Sequence, residues 1–591
     1  MRRTVTVLAA ALAVVLAGVA PAGGVADGEV LAAPDLATHP QGDNSYPRLI
    51  RLEHDGAGGS TLLATYAKRF QGATNTLPVL RSTDDGASWT QISEIASNTP
   101  GWDIEAPVLY EVPHTAGGLT AGDLLAAGTA WNVGDFTAQK VEVFRSTDHG
   151  ATWSYLSECT STSGLPNTIG HGIWEPWFHQ AADGRLACFI SDERPAGTPT
   201  NNQVIGHYLS TDGGASWGST LVQDIAFPAD DLARPGMSIL TELPTGDVLM
   251  TYELCRDATD ADHACEVYVK TSPDGFDWSP ADDPGTLVQT DDGRMLLHTP
   301  YVAWTPAGGP NGTLVLSGQR IGTGTTGNLT VQPESGRALF TNTNLGAGPW
   351  NELVAPLTID PTGGYDPGEP SCPGYSSPIV PSADGQRLFY VAGTWTGTGN
   401  QCEIRFASSS AGTLPFTPDL VAGTKAGFAE YGGSWTTGAG TLAVTDTVPG
   451  SKALFGSDAW ADYTVTGEVR LDAAGQAGLL LRANDPAVGA DAGRGYYVGL
   501  ESATGELVLG ELDNGWTGIS VTPVSGGVAV GTWYRITATA TGCDLTVTAE
   551  PADGSGTPAT ASATVPGCFA TGAIGVRSHV TPATWRALSV T

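Results

Sequence analysis

An eight-residue pattern returns along the first half of the chain at nearly constant spacing. It reads STDDGASW (82–89), STDHGATW (146–153) and STDGGASW (210–217), then a shortened SPDGFDW (272–278) and a degenerate TNLGAGPW (343–350). The aspartates at 84, 148, 212 and 274 stand 64, 64 and 62 residues apart. A fixed period of that length signals a repeat architecture, in which each repeat buries its apolar face only against its neighbours. Within each copy the chemistry is that of a turn. Asp and Ser bond nearby amides, Gly takes the left-handed corner, and Trp packs beneath it. These aspartates are therefore read as turn-builders and not as catalysts.

Each copy closes a longer unit. A strand opens near a proline, as in SYPRLIRL (45–52), IEAPVLYEV (104–112), WEPWFHQ (174–180), RPGMSILTEL (234–243), TPYVAW (299–304) and YSSPIVPS (375–382). It turns at a Gly-containing loop and returns as LLATY, LLAAGTAW, LACFISDE, VLMTYE, LVLSGQR or LFYVAGTW. The repeated turn resembles the Asp box of the sialidase-like propellers. An all-β chain is expected, with a six-bladed β-propeller over 40–415. Past 425, stretches such as YTVTGEVRL and WYRITATAT alternate apolar and polar residues without the repeated turn. They predict an antiparallel β-sandwich (jelly roll) over 425–591, joined through SSSAGTLPFTP and similar to the laminin-G or concanavalin-like sandwiches appended to secreted sugar-active enzymes; the resemblance implies an accessory carbohydrate-binding unit, with Trp516 and Trp533 either a sugar platform or plain core.

The N-terminus carries Arg2 and Arg3, an apolar run to Val19 and then small residues, the order of a secretory signal peptide over 1–26. Export to an extracellular location is expected, and the run is short for a membrane span. Eight cysteines fit an oxidising compartment. Sequence leaves many pairings open, but local closure favours Cys159–Cys188, Cys255–Cys265, Cys372–Cys402 and Cys543–Cys568. No CxxC occurs, so no zinc site is expected. RDATDADHAC (256–265), with three aspartates and a histidine, could bind calcium, but it lacks EF-hand spacing and reads rather as a solvated loop closed by a Cys255–Cys265 bridge. The net charge of −34 disfavours nucleic acid as a partner. No cofactor is implied, a monomer is expected, and the Asn311 and Asn328 sequons matter only in a glycosylating host.

In a propeller the inner strands begin on the face where the second strands end, so aligned units show which residues ring the central pocket. The opening strands bring Arg48, Glu105, Trp174 with Glu175, Arg234, Thr299 and Ser377. The returning strands bring Tyr66, Trp131, Asp192 with Glu193, Glu253, Arg320 and Trp395. Acids, arginines and aromatics suit sugar hydroxyls and sugar faces. Arg48, Glu105, Trp131, Trp174, Glu193, Arg234 and Tyr375 are the substrate-binding candidates. Glu175 and Glu253, on consecutive units, are the catalytic candidates. Glycoside hydrolysis commonly uses two carboxyl groups flanking one bond. Glu175 sits in HGIWEPWFHQ between tryptophans, a setting that raises a carboxyl pKa and suits a general acid. The alternative for either glutamate is a salt-bridge partner on the rim.

SYPRLIRL, IEAPVLYEVP, WEPWF, RPGMSILTELPTGDVLMTYELC, CEVYVKTSPDG and YVAWTPAGGPNGTLVLS together resemble the exo-α-1,5-L-arabinanases of glycoside hydrolase family 93, over roughly 44–410. The resemblance implies a retaining six-bladed propeller enzyme that releases arabinobiose from linear arabinan, with its two glutamates at Glu175 and Glu253. Glu242 competes for the second role but precedes a turn at the far end of its hairpin. Two other readings stand beside this one. A sialidase would need Arg48, Arg234 and Arg320 to grip a carboxylate, and a non-catalytic glycan-binding propeller would lack the paired acid.

Overall fold

The computed structural model describes residues 28–33, 44–68, 74–133, 137–163, 172–194, 203–230, 232–255, 265–325, 328–332, 335–359, 372–396, 401–446 and 448–591. The expected signal peptide and most of the 256–265 loop lie outside them. Every regular element among the described residues is a strand. No helix there is long and apolar enough to cross a membrane.

Residues 29–410 form five four-stranded antiparallel sheets and one seven-stranded sheet. Each has an inner strand: Asn44–Arg51, Trp102–Glu111, Ile173–Gln180, Arg234–Glu242, Tyr301–Thr305 and Ile379–Pro381. Each inner strand touches the next, and the last touches the first, so the sheets close a propeller-like ring. Glu29–Ala32 pairs with Cys402–Ser410 as the outer strand of the last sheet. The chain thus joins the ring ahead of the boundary expected at 40, because this short strand carries no repeat motif. The seven-stranded sheet extends Arg234–Glu242, Val248–Cys255 and Glu266–Ser272 with Arg294–Leu297, Arg320–Thr325 and Asn328–Val331. These insertions break the period and were not visible in it.

The repeated turns lie between the third and fourth strands and act as expected of turn-builders. In the third copy Ser216 N and Oγ donate to Asp212 at 2.9 and 2.5 Å, while Ser210 Oγ accepts from Gly214 N at 2.8 Å. The Ser216 hydroxyl bond leads the interactions that hold the Asp212 carboxyl below its usual range. The turns also tie sheets together. Trp153 Nε1 donates to Ser93 Oγ of the preceding sheet at 3.1 Å, and Trp217 Nε1 to Ser157 Oγ at 2.9 Å. In the degenerate copy Asn342 replaces the serine, accepting from Gly346 N at 2.9 Å.

Residues 429–590 form two seven-stranded antiparallel sheets around one apolar core that includes Trp435, Trp585, Tyr496 and Ile536. Trp533 lies between Arg470 and Arg586, 4.9 and 4.2 Å from its ring. Trp516 is 40% exposed. Disulfides join Cys159 to Cys188, Cys255 to Cys265, Cys372 to Cys402 and Cys543 to Cys568. The last is in the C-terminal unit and the other three in the ring.

Candidate functional site

The inner strands, or the residues just ahead of them, share one backbone feature. Tyr46, Ala106, Glu175, Met237, Thr299 and Ser376, one per sheet, all have positive φ, between 47° and 61°. In four sheets the register slips at this point, between Ser45 and Arg48, Glu105 and Val108, Trp174 and Trp177, and Gly236 and Ile239. A non-glycine residue held in the left-handed region costs on the order of 1–3 kcal/mol. A ring of them concentrates strain at one end of the central channel and re-aims the side chains there. This corrects the alignment drawn from sequence. The counterpart of Glu175 in the first sheet is Tyr46, not Arg48, and in the last it is Ser376, not Ser377.

The Glu175 side chain is partly accessible but closely surrounded by protein. Its Oε2 accepts from Ser191 Oγ at 2.6 Å and from Met237 N at 3.0 Å. Gly236 passes so near that an added Cβ would stand 2.6 Å from Gln203 Nε2 and 3.6 Å from Glu175 Oε2. Burial first, and then the charge of Glu253, push the Glu175 carboxyl up to about 7, against the bonds from Ser191 and Met237 and the charge of Arg48. The group therefore changes protonation near neutrality.

Glu253 lies near the end of the second strand of the next sheet, Val248–Cys255, and is 7% exposed. Its Oε2 accepts from Thr299 N at 2.6 Å and lies 2.7 Å from His298 Nδ1. With Glu253 ionised, His298 carries its proton on Nδ1. The turn that supplies both donors is strained, with φ of 65° at His298 and 47° at Thr299. Glu253 and His298 also approach the sulfurs of Cys255 and Cys265, but those sulfurs are oxidised together and offer no thiolate to a metal.

The remaining candidates fall into two groups. Arg48, 2% exposed, donates through Nη1 to Ser376 Oγ at 2.6 Å and to Pro47 O at 2.9 Å, and its guanidinium lies 4.4 Å from the Tyr46 ring centre. Tyr375 packs its ring 5.7 Å from that of Tyr46 and 5.4 Å from that of His298. Trp131 and Trp174 meet edge to face at 6.0 Å. Arg234 and Glu193, by contrast, form an ion pair at 2.5 Å, with Arg234 also on Gln203 Oε1 at 3.0 Å and Glu193 on Gly172 N at 2.6 Å. That pair shapes the wall, since Gly172 lies so close under Trp174 that a Cβ would collide with its indole. Glu105 is buried and accepts from Asn75 Nδ2 at 2.5 Å. Glu242 is exposed at the end of its strand, as its place before a turn implies.

Tyr46, Ser191, His298 and Thr299 N were not picked out from the sequence as partners of the two glutamates. Tyr46 is 6% exposed, and its hydroxyl has no hydrogen bond of acceptable geometry among the described residues, although Arg48 lies beside it. Burial and the Glu175 charge raise its pKa, with Glu253 adding to the effect. The tyrosine therefore stands near both carboxyl groups. The signal was there in Tyr46-Pro47, which repeats the Glu175-Pro176 step.

No curated protein sequence matches the chain. A family model described as a 3-keto-alpha-glucoside-1,2-lyase-like domain matches residues 421–591. Among solved structures, an alpha-L-arabinanase of Penicillium chrysogenum complexed with arabinobiose is similar at 25% identity and a TM-score of 0.52, over 65% of this chain and 98% of that one. An alpha-L-arabinofuranosidase of Fusarium graminearum with an iminosugar inhibitor gives 24% identity and a TM-score of 0.53, over 66% and 98%. The same GH93 enzyme with arabinobiose gives 24% and 0.53, over 65% and 97%. The shared part corresponds in extent to the ring of sheets.

Proposed function

We propose that the chain is a secreted, retaining exo-glycosidase that hydrolyses α-1,5-linked L-arabinan and releases a short unit such as arabinobiose. The seven-stranded sheet, fourth in the ring, is read as a blade with insertions, which makes a six-bladed catalytic propeller up to about 415. The unit from 425 is read as an accessory sandwich. The four disulfides and the apolar N-terminal run support export. The arabinanase and arabinofuranosidase neighbours support the substrate class.

One observation carries the reading. Glu175, with its pKa pushed up to about 7, interacts electrostatically with Glu253, whose Oε2 is held by two donors. In the proposed reaction protonated Glu175 gives its proton to the glycosidic oxygen as the Glu253 carboxylate bonds to the anomeric carbon. The C–O bond to the leaving sugar breaks. Water then attacks the glycosyl ester while Glu175 takes its proton, and Glu253 leaves as carboxylate. Two displacements restore the starting configuration. Ser191 and Met237 both bond Oε2 of Glu175, which leaves Oε1 to carry the transferable proton.

The sialidase alternative is weaker. Two of its three arginines are engaged with protein, Arg234 with Glu193 and Gln203 and Arg48 with Ser376 and Pro47. Incubating the protein with debranched arabinan, sialyllactose and xylan and identifying the products tests the proposal. Release of arabino-oligosaccharides alone supports it, and release of sialic acid or xylose units overturns it.

A further inference from the structure

The ring of sheets and the C-terminal unit are joined by more than a linker. Val354 N donates to Gly456 O at 3.0 Å and Asp458 N to Glu352 O at 2.9 Å, so the outer strand Asn351–Val354 continues into a segment of the sandwich. Trp460 Nε1 adds a bond to Gly412 O at 3.0 Å. Beside this seam lies a cavity of about 260 Å³ with walls from both units. It is bounded by the outermost strand of its sheet, not by the inner strands that carry the site described above.

The lining is mixed. Arg294 is paired with Glu352 at 2.5 Å, and Arg494 with Asp485 at 2.5 Å. Arg337 also lines the cavity, its guanidinium over the Tyr431 ring and donating to Glu430 O, and Asp291, Asp292 and Asp458 bring further carboxyl groups. Phe569 presents a half-buried aromatic ring, and Asn484 and Asp292 bring polar groups. The cavity is also lined by Trp350, which is 1% exposed and whose indole N–H has no acceptor among the described residues. The other four tryptophans of the repeated turn each bond this N–H, to Gly86 O, Ser93 Oγ, Ser157 Oγ and Gly275 O. A buried donor without a partner is destabilising. The fifth repeat bears that cost beside a cavity.

From this lining we infer that the cleft between the propeller and the sandwich is a second saccharide site, which takes a neutral oligosaccharide. Hydroxyls supply both donors and acceptors to a wall of guanidinium and carboxyl groups, an apolar sugar face covers Phe569, and one hydroxyl oxygen accepts from Trp350. The seam fixes both walls, and Trp350 Nε1, closed to solvent in this structure, turns toward the cavity when the ligand binds. Its binding does not require the proposed catalysis.

The test is calorimetric titration of the full chain carrying Glu175→Gln with four-unit arabino-, xylo- and cello-oligosaccharides. It is repeated with Phe569→Ala, and separately with Trp350→Phe, which removes the N–H and keeps a ring. Two binding events are expected for at least one sugar series. One of them should weaken at least tenfold in Phe569→Ala and severalfold in Trp350→Phe. In the otherwise wild-type chain, Phe569→Ala should leave hydrolysis of a short soluble substrate unchanged. The absence, in every series, of an event that weakens in Phe569→Ala and in Trp350→Phe overturns the inference. Loss of the other event alone counts against the catalytic reading and leaves the cleft standing.

Discussion

Met237 N donates to Glu175 Oε2 at 3.0 Å, and both residues are the left-handed members of their own inner strands. The same relation recurs two sheets on, where Ser376 N donates to Thr299 Oγ1 at 3.1 Å. The strained ring is thus a set of interlocked neighbours. It turns amides and side chains toward one end of the channel, where a regular strand would bury them in its ladder.

The protonation of Glu175 gives the first prediction. The acid form is needed for leaving-group departure, so kcat/KM should fall as pH rises through about 7. The Ser191 bond favours the carboxylate. Ser191→Ala should therefore move this alkaline limb to higher pH. A limb that stays or moves down, in a pH–rate profile of kcat/KM, contradicts the assignment.

Tyr46 supplies the second. Its hydroxyl is buried without a well-formed hydrogen bond, so Tyr46→Phe should leave the melting temperature unchanged or slightly raised. If the hydroxyl waits for substrate, the same change lowers kcat/KM at least tenfold. A stable variant with full activity would make Tyr46 a packing residue.

Much of this was legible in the sequence, for physical reasons. The repeated turn depends on local bonds from Asp212 or Asp148 to residues a few positions away, so spacing alone exposes it. Glu175 stood out because its tryptophan neighbours are adjacent in sequence. Tyr46 did not, because Arg48 is the more conspicuous residue and a two-residue change of register decides which one aligns with Glu175. Ser191 and His298 reach the glutamates only through strand pairing and a turn from the next sheet, contacts that no local pattern records. Strand Glu29–Ala32 was hidden because its partner is nearly 400 residues away.

The repeated turns should be structural in effect. Asp212→Ala removes two bonds to Ser216 and one from Ser210 on a mostly exposed turn. A stability loss of roughly 1–2 kcal/mol is expected. Denaturant unfolding should show the loss, while kcat at 25 °C is unaltered. A large fall in kcat in the folded variant would give the box a role beyond the turn.

The seam between the units should respond to pH. Burial, reinforced by the Glu352 charge, raises the Asp458 carboxyl well above its usual range. A raised folded-state pKa contributes stability at low pH that is lost as pH rises through the folded value. Asp458→Asn keeps an acceptor for Glu352 N, so it should flatten the decline in thermal stability from acid to neutral pH. An unchanged pH profile would place the titration elsewhere.

Turnover of debranched arabinan by the wild-type chain, Glu175→Ala and Glu253→Ala, with folding checked by circular dichroism, bears on the central claim most directly. The wild-type chain should release short arabino-oligosaccharides, and each substitution should lower kcat by roughly a thousandfold or more with the fold intact. No release by the wild-type chain, or more than about a tenth of its rate in either variant, a loss below about 1.4 kcal/mol, would contradict the account.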